Sequence, residues 1–225
     1  YDSGEFAQLM SNALDKIDWA GFPARQAEAA KRGKKRGIGL AYYLEATGGA
    51  PTENAAVKFT DDGFADVYVG TQSTGQGHET AYAMMTSFEL GIPIEKIRVK
   101  QGDSDTLPDG GGTGGARSLY SEGQAILVTT ASVVEKGKIA ASEHLEAAVA
   151  DIEFTSQGGT FGVVGTDRAV GILDLAASQL SKARAGQQVT LLDAMETAEI
   201  KSHTFPNGCH VAEVEVDPDT GLVTV

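Results

Sequence analysis

Residues 55–90 read AAVKFTDDGFADVYVGTQSTGQGHETAYAMMTSFEL, and the order of elements within this stretch decides the fold. Two apolar runs flank Asp61-Asp62-Gly63, a turn signal that predicts a β-hairpin. Beyond Gly77 the apolar side chains recur at helical spacing as far as Leu90. The stretch therefore predicts two paired strands, a glycine-containing loop and a helix, in that order.

Outward from this stretch the chain alternates between helical and strand patterns. Helical spacing dominates the first 36 residues, with Asp2 or Ser3 as the N-cap. Further predicted helices are Leu119–Val134, Lys138–Ala148 and Asp174–Leu180, and further predicted strands are Gly37–Glu45, Lys96–Lys100, Ile152–Phe154, Phe161–Val164 and Ala169–Ile172. Val211–Val216 and Leu222–Val225 are predicted to form a closing hairpin across the turn residues 217–221. Because hairpins interrupt any regular strand-helix alternation, we expect an α+β fold of mixed sheets, strand-helix-strand units and antiparallel hairpins in two lobes.

Composition excludes several classes of protein. The 225 residues include 31 acidic and 18 basic ones, for a net charge of −13, which argues against a nucleic-acid partner. A single cysteine, Cys209, provides neither an internal disulfide nor a thiolate cage for a metal cluster. The sequence has no apolar run of about 20 residues, so we expect no membrane association and a cytoplasmic location.

Two loops have the residue types that an anion site needs. The first, Gly70–Thr80, joins a strand to a helix, where unpaired backbone N–H groups attract negative charge. Gly75 and Gly77 would allow close backbone approach, although a turn without a ligand fits the spacing equally well. The second, Asp103–Ser118, has the same design, and its Thr113 and Arg117 suit a phosphate or a pterin.

At these loops the sequence resembles a known family, the large subunits of molybdenum hydroxylases, which include carbon monoxide dehydrogenase and xanthine and aldehyde oxidases. Residues 71–80 resemble that family's Gly-Gln-Gly segment. Gly112–Ser118, followed by Gly123-Gln124-Ala125, resembles its second pterin-binding loop in the form typical of the carbon monoxide dehydrogenase-like branch. The likeness extends from Gly37 to Asp217 and therefore covers most of the chain.

The resemblance implies a cofactor, a set of site residues and partners. The cofactor is molybdopterin, in its cytosine dinucleotide form, with molybdenum. Iron-sulfur and flavin subunits or domains would accept the electrons, and the substrate would be an aldehyde, a heterocycle or carbon monoxide, with water as the oxygen source. The residues expected to bind the cofactor are Gly75, Gln76, Gly77, Thr113, Gly115, Ala116 and Ser118.

The resemblance also sets limits on this chain. Residues 1–36 would be a helical connection and residues 37–225 part of the molybdopterin-binding domain, cut before the segment that carries the catalytic glutamate. We therefore expect no catalytic residue and no protein ligand to the metal here, and an excised fragment that is inactive and need not hold the cofactor. Exposed strand edges in such a fragment are compatible with a homodimer.

Alternative interpretations remain open for the loops and for the other polar residues. The loops also fit an unrelated anion-binding module, although the sequence has no P-loop motif, and they fit a non-catalytic structural domain. We expect His78 to be a solvated surface residue and Asp103 and Asp105 to shape their loop through local hydrogen bonds. His144 and Cys209 are expected to have structural roles.

Overall fold

The computed structural model describes residues 4–106 and 109–225. This part of the chain contains five α-helices and ten strands, and the strands form three sheets. This composition confirms the α+β class. The helices are α1 Phe6–Lys16, α2 Phe22–Lys31, α3 His78–Leu90, α4 Ser118–His144 and α5 Ile172–Arg184. The strands are β1 Lys35–Leu44, β2 Thr52–Phe59, β3 Ala65–Val69, β4 Ile97–Lys100, β5 Ile152–Thr155, β6 Thr160–Val163, β7 Ala169–Gly171, β8 Ala194–Glu199, β9 Asn207–Val216 and β10 Val223–Thr224. The predicted N-cap residues Asp2 and Ser3 lie outside the described residues.

The chain separates into two compact units, the first comprising the residues up to Thr47 together with His203–Val225. Its sheet has the order β1-β9-β10 and is antiparallel throughout, with Lys35 opposite Val216. The predicted closing hairpin is therefore confirmed. Helix α1 packs on β9 and α2 on β1. The predicted boundary between residues 36 and 37 stays a prediction.

The second unit, Gly48–Ser202, contains the hairpin of residues 55–69 and the loop that follows it. Its main sheet has the order β4-β3-β2-β8, in which β2 is antiparallel to β3 and β8. Strands β3 and β4 are parallel, so α3 is the crossover between them. Helix α4 packs across β2 and β8 and also against α3, and the core between these elements is formed by aliphatic side chains such as Val57, Val67 and Ile126.

Two elements of the second unit differ from the sequence-based expectation. Helix α4 is one helix of 27 residues, whereas two helices interrupted after Val134 were expected, and that prediction is wrong. Gly137 lies inside this helix, and the ring of Phe161 occupies the space that a side chain there would need. Strand β8 was not predicted, since Ala194–Glu199 has few β-branched or aromatic residues. The small sheet β5-β6-β7 and helix α5 agree with the prediction.

Across residues 4–106 and 109–225, none of the helices combines the length and the apolar composition that crossing a membrane requires.

Candidate functional site

The two glycine-containing loops lie side by side at one edge of the main sheet. One loop follows β3 and the other follows β4, and the carboxyl ends of adjacent parallel strands meet at the same edge. Thr113 joins the loops: its hydroxyl oxygen accepts a hydrogen bond from the Gln72 N–H at 2.8 Å and donates one to the Gln72 carbonyl oxygen at 2.7 Å. The Ser73 N–H donates to the side chain of Gln101, which follows β4, at 2.9 Å. The tertiary structure therefore brings together two segments about 40 residues apart in sequence.

Gln76 lies at the exposed tip of the first loop, between two glycines in the left-handed region. Gly75 has φ = 107° and Gly77 has φ = 76°, conformations that favour glycine. The carboxamide oxygen of Gln76 accepts a hydrogen bond from the Thr74 hydroxyl at 3.2 Å. Among the described residues no hydrogen bond involves the Gln76 Nε2 group. This NH₂ group is therefore free to donate to a ligand.

The second loop places its four predicted residues in different roles. Thr113 joins the loops, as described above, and Ser118 begins α4 with only 6% of its surface exposed. Gly115 faces a neighbouring segment: its carbonyl oxygen accepts from the Gly48 N–H at 2.9 Å, and a Cβ atom there would lie 2.5 Å from the Gly48 carbonyl oxygen. Ala116 has φ = 54°, a left-handed conformation that costs a residue with a Cβ roughly 1–2 kcal/mol. Such strain at a loop is common where a site fixes the backbone.

A cavity of about 270 Å³ lies where the two loops enter α3 and α4. Four of the predicted cofactor-binding residues line it: Gln76, Thr113, Ala116 and Ser118. His78, Gly114 and Leu119 line the rest of it. Helices α3 and α4 both begin here, and neither has a side-chain cap. Uncapped helix N-termini present N–H donors and partial positive charge, so the cavity suits an anionic or hydrogen-bond-accepting group.

Arg117 does not face this cavity as an anion ligand, which corrects the sequence-based interpretation. Its guanidinium forms an ion pair with Glu53 of β2 at 2.9 Å, and 4% and 0% of the two side chains are exposed. The same guanidinium donates to the carbonyl oxygens of Gly112, Ala50 and Thr52. Glu53 also accepts from the Gly111 N–H at 3.0 Å. Arg117 therefore holds the second loop against β2.

A second buried carboxyl group belongs to Glu122 of α4. Its Oε2 atom accepts a hydrogen bond from the Thr71 N–H at 3.2 Å, and the Thr71 hydroxyl is 2.8 Å from the hydroxyl of Tyr82 on α3. Burial, followed by the nearby Glu53 carboxylate, raises the pKa of Glu122 to about 8. Burial also raises the pKa of Tyr82. Through Thr71, the first loop is thus attached near its start to both α3 and α4.

His78 is buried, and the expectation of a solvated histidine is wrong. Only 8% of its surface is exposed, because it packs against Tyr82 one turn later with ring centroids 5.5 Å apart. Its Nδ1 atom has no hydrogen-bond partner among the described residues. A buried ring nitrogen without a partner is costly, and His78 lines the 270 Å³ cavity. This unsatisfied atom fits a site that a polar ligand completes.

Sequence reasoning did not find the buried polar residues Glu53, Thr71 and Glu122. A signal for two of them was present: Glu53 lies just before the apolar run Ala55-Ala56-Val57, and Glu122 stands among small residues on the buried face of a long helix. Asp103 does shape its loop as expected, since its carboxylate accepts from the Asp105 N–H at 3.0 Å. In the part of the chain that the structure describes, no group of three or more His, Cys, Asp or Glu side chains is arranged to hold a metal ion.

Comparison with known proteins gives a consistent set of matches. A family model described as a molybdopterin cofactor-binding domain matches residues 12–225. The carbon monoxide dehydrogenase large chain of Afipia carboxidovorans is 30% identical over 99% of this chain and 29% of its own length. The gamma subunit of the 6-hydroxypseudooxynicotine dehydrogenase complex of Paenarthrobacter nicotinovorans is 32% identical over 98% of this chain and 28% of its own length.

A solved structure agrees with these matches. The reconstituted CO dehydrogenase from Oligotropha carboxidovorans superposes with a TM-score of 0.76 at 30% identity, over 100% of this chain and 30% of that chain. The chain thus spans less than a third of the length of the curated relatives described above.

Proposed function

The chain belongs to the molybdopterin cofactor-binding domain family, and from this premise we propose that the loops around Gln76 and Thr113 bind the molybdenum cofactor of a larger oxidoreductase. The family match confirms the resemblance predicted from the two glycine loops. The observation that carries the proposal is the cavity of about 270 Å³ that Gln76, Thr113, Ala116 and Ser118 line at two uncapped helix N-termini.

Each part of the site suits a different part of the cofactor. The Gln76 NH₂ group would donate a hydrogen bond to the pterin, and Gly75 and Gly77 would let the backbone approach it. The N–H groups at the starts of α3 and α4 would hold phosphate oxygens. His78 Nδ1, which is buried and has no partner among the described residues, would gain one on binding. We further propose the cytosine dinucleotide form, whose pyrophosphate would engage Thr113, Gly115, Ala116 and Ser118.

When bound, the cofactor supplies the two-electron oxidation of a small molecule with water as the oxygen source. The residues of this chain position the cofactor and exclude water from its buried side. We place the catalytic glutamate outside these 225 residues. The named relatives act on molecules as different as carbon monoxide and 6-hydroxypseudooxynicotine. We therefore propose an aldehyde, a heterocycle or carbon monoxide as the range of substrates for the whole protein.

The whole protein would work with other chains or domains. The names of the two relatives describe them as a large chain and as a subunit of a complex. We propose that iron-sulfur and flavin subunits or domains accept the electrons, and that the assembly is cytoplasmic. A non-catalytic structural or anion-binding domain is the alternative, and the following experiment separates it from the proposal.

The test is the change Gln76→Ala in the complete protein, produced in a host that makes the cofactor. We expect the variant to fold normally and to lose at least about 90% of its turnover, since a donor fixed at the cofactor contributes on the order of a hundredfold in rate. Molybdenum and released pterin are measured beside turnover, and hydrolysis of the extracted cofactor identifies its nucleotide.

A matched control is Gln157→Ala, an exposed glutamine in the turn between β5 and β6. It should retain the turnover and cofactor content of the unmodified protein. Absence of molybdenum and pterin from the unmodified protein would reject the proposal in favour of a structural domain. Full turnover in the Gln76 variant would remove Gln76 from the site.

A further inference from the structure

Two buried carboxyl groups lie where the loops begin, and only one of them is paired with a guanidinium among the described residues. Glu53 and Glu122 have no exposed surface, and Arg117 is 3% exposed. Arg117 is paired with Glu53 at 2.9 Å, and no described residue forms an ion pair with Glu122. A buried carboxylate without a counter-ion is strongly disfavoured, so a neutral Glu122 gives this group of three side chains no net charge.

Glu122 occupies the position from which the first loop starts. Thr71, fully buried, is the second residue after β3, and its N–H group donates to Oε2 of Glu122 at 3.2 Å. Its hydroxyl group pairs with Tyr82 at 2.8 Å. Thr71 is therefore fixed between α3 and α4, and Gln76 lies five residues further along the same loop. Any displacement of Glu122 acts on this loop through Thr71.

The other carboxylate oxygen of Glu122 points to the role of a proton. Among the described residues Oε1 of Glu122 has no hydrogen-bond partner, although the atom is buried. A buried carboxylate oxygen without a donor is costly, whereas a carboxylic acid carries its own proton and leaves less charge unsatisfied. Burial and the nearby Glu53 carboxylate favour the neutral acid, and together they outweigh the hydrogen bond from Thr71, which favours the carboxylate.

We propose that Glu122 is a positioning residue that holds the root of the loop of residues 70–77 in its neutral form, and that loss of its proton loosens this loop. The effect on the loop does not depend on the proposed function. A second effect rests on the proposed function: weaker retention of the molybdenum cofactor at alkaline pH.

The charged and titratable groups around Glu122 fix the direction of the pH dependence. The Glu53 carboxylate of β2 acts on it directly, and Tyr82 of α3 interacts with Glu122, Glu53 and Arg117. Burial and then the Glu53 carboxylate raise the pKa of Glu122 to about 8. A raised pKa means that the native state binds the proton more tightly than the unfolded chain does. Stability from this group is therefore complete at acid pH and is lost as pH rises toward about 8, and the loop loosens as pH passes that value.

Hydrogen-deuterium exchange in the complete protein tests the loop. After correction for the intrinsic exchange rate, protection of the amides of residues 71–77 should fall roughly tenfold between pH 7 and pH 9, because the neutral fraction of an acid with a pKa of about 8 falls from about nine-tenths to about one-tenth. Glu122→Gln, which resembles the neutral acid, should keep the protection of the unmodified protein at pH 7 and show no such fall. Glu143→Gln, an exposed carboxyl on the same helix, should behave as the unmodified protein.

Infrared difference spectra of the unmodified protein provide a measurement that needs no folded variant. They should show one protonated carboxyl group that loses its proton between pH 7 and pH 9. Absence of this signal, or identical exchange profiles for the unmodified protein and Glu122→Gln, would overturn the proposal. Retention of pterin and molybdenum is followed over the same pH range. A protein that passes the infrared and exchange tests but contains no pterin contradicts the proposed function and leaves the role of Glu122 intact.

Discussion

Arg117 and Glu53 illustrate how single charged residues support the loops. The pair has almost no exposed surface, and the guanidinium satisfies three carbonyl oxygens besides the carboxylate. The close approach of Gly70 and Gly110 beside them leaves no room for a side chain, since a Cβ atom on Gly70 would lie 2.4 Å from the Cα atom of Gly110. The buried Arg117–Glu53 pair and the close contact of Gly70 with Gly110 thus lie together where the two loops leave the sheet.

Removal of one partner of this ion pair should destabilise the second unit. We expect Arg117→Met to cost about 3–5 kcal/mol, because it leaves the Glu53 carboxylate buried without a counter-ion. The double change Glu53→Gln with Arg117→Met should cost less than Arg117→Met alone. Urea unfolding measures the free energies. Arg168→Met, at an exposed turn, is the control, and an equal cost in the two Arg→Met variants would show that burial of the pair is unimportant.

Among the elements, α4 connects the candidate site to the rest of the second unit. Its first turns hold Ser118, Ser121 and Glu122 at the loops, and its later turns bury Val133, Gly137 and Ala140 in the core. The helix stays continuous through Gly137 because packing against the sheet and against Phe161 outweighs the weak helix propensity of glycine. A rigid helix of 27 residues thereby fixes the position of the loop that precedes it.

Gly137→Ala should destabilise the protein although alanine is the better helix former. A Cβ atom there would lie 2.1 Å from Cζ of Phe161, so the ring must move. We expect a net cost of about 1–3 kcal/mol, the usual range for overpacking, against a gain in propensity of at most about 1 kcal/mol. Urea unfolding of Gly137→Ala, Phe161→Leu and the double variant measures the coupling. If the free-energy cost of the double variant equals the sum of the two single costs, residues 137 and 161 are not coupled, which would contradict this account of the helix.

At the scale of the whole molecule, the two units respond to pH in opposite directions. In the first unit a series of ion pairs joins α2 and β1 to β9: Glu213 binds Arg25 and Arg36, and further pairs join Arg32 to Glu215 and Lys34 to Asp217. Arg25, and then Arg36, lowers the pKa of Glu213 to about 2. In the second unit, as described above, burial raises the pKa of Glu122. Acid therefore weakens the first unit and alkali the second.

Acidification should detach the helices of the first unit before the second unit unfolds. A lowered pKa means that the stability from Glu213 is complete above its unfolded value, near 4.5, and is lost as pH falls toward about 2. Hydrogen-deuterium exchange of residues 6–31 between pH 5 and pH 2.5 measures this loss. Glu213→Gln should lower the protection of these residues at pH 6 and flatten its pH dependence, whereas Glu143→Gln should change neither. Equal protection in Glu213→Gln and the unmodified protein at pH 6 would show that the ion pairs do not hold the helices.

The sequence by itself determined the order of most elements and the two loops. Turn residues, apolar periodicity and the position of glycines are local properties, so they predicted the hairpin of residues 55–69, helix α3 and the closing hairpin of β9 and β10. Local signals were insufficient at β8 and at Gly137, where contacts with distant residues decide the conformation.

Only the tertiary structure decided how the site is built. The parallel pairing of β3 with β4 places Gln76 and Thr113 at one edge, and no pattern within either loop specifies that pairing. Burial also reversed two interpretations: Arg117 pairs with Glu53, and His78 is enclosed. Whether a charged or polar side chain meets water, a counter-ion or a ligand depends on what the fold packs around it, and for these residues that environment comes from strands and helices distant in sequence.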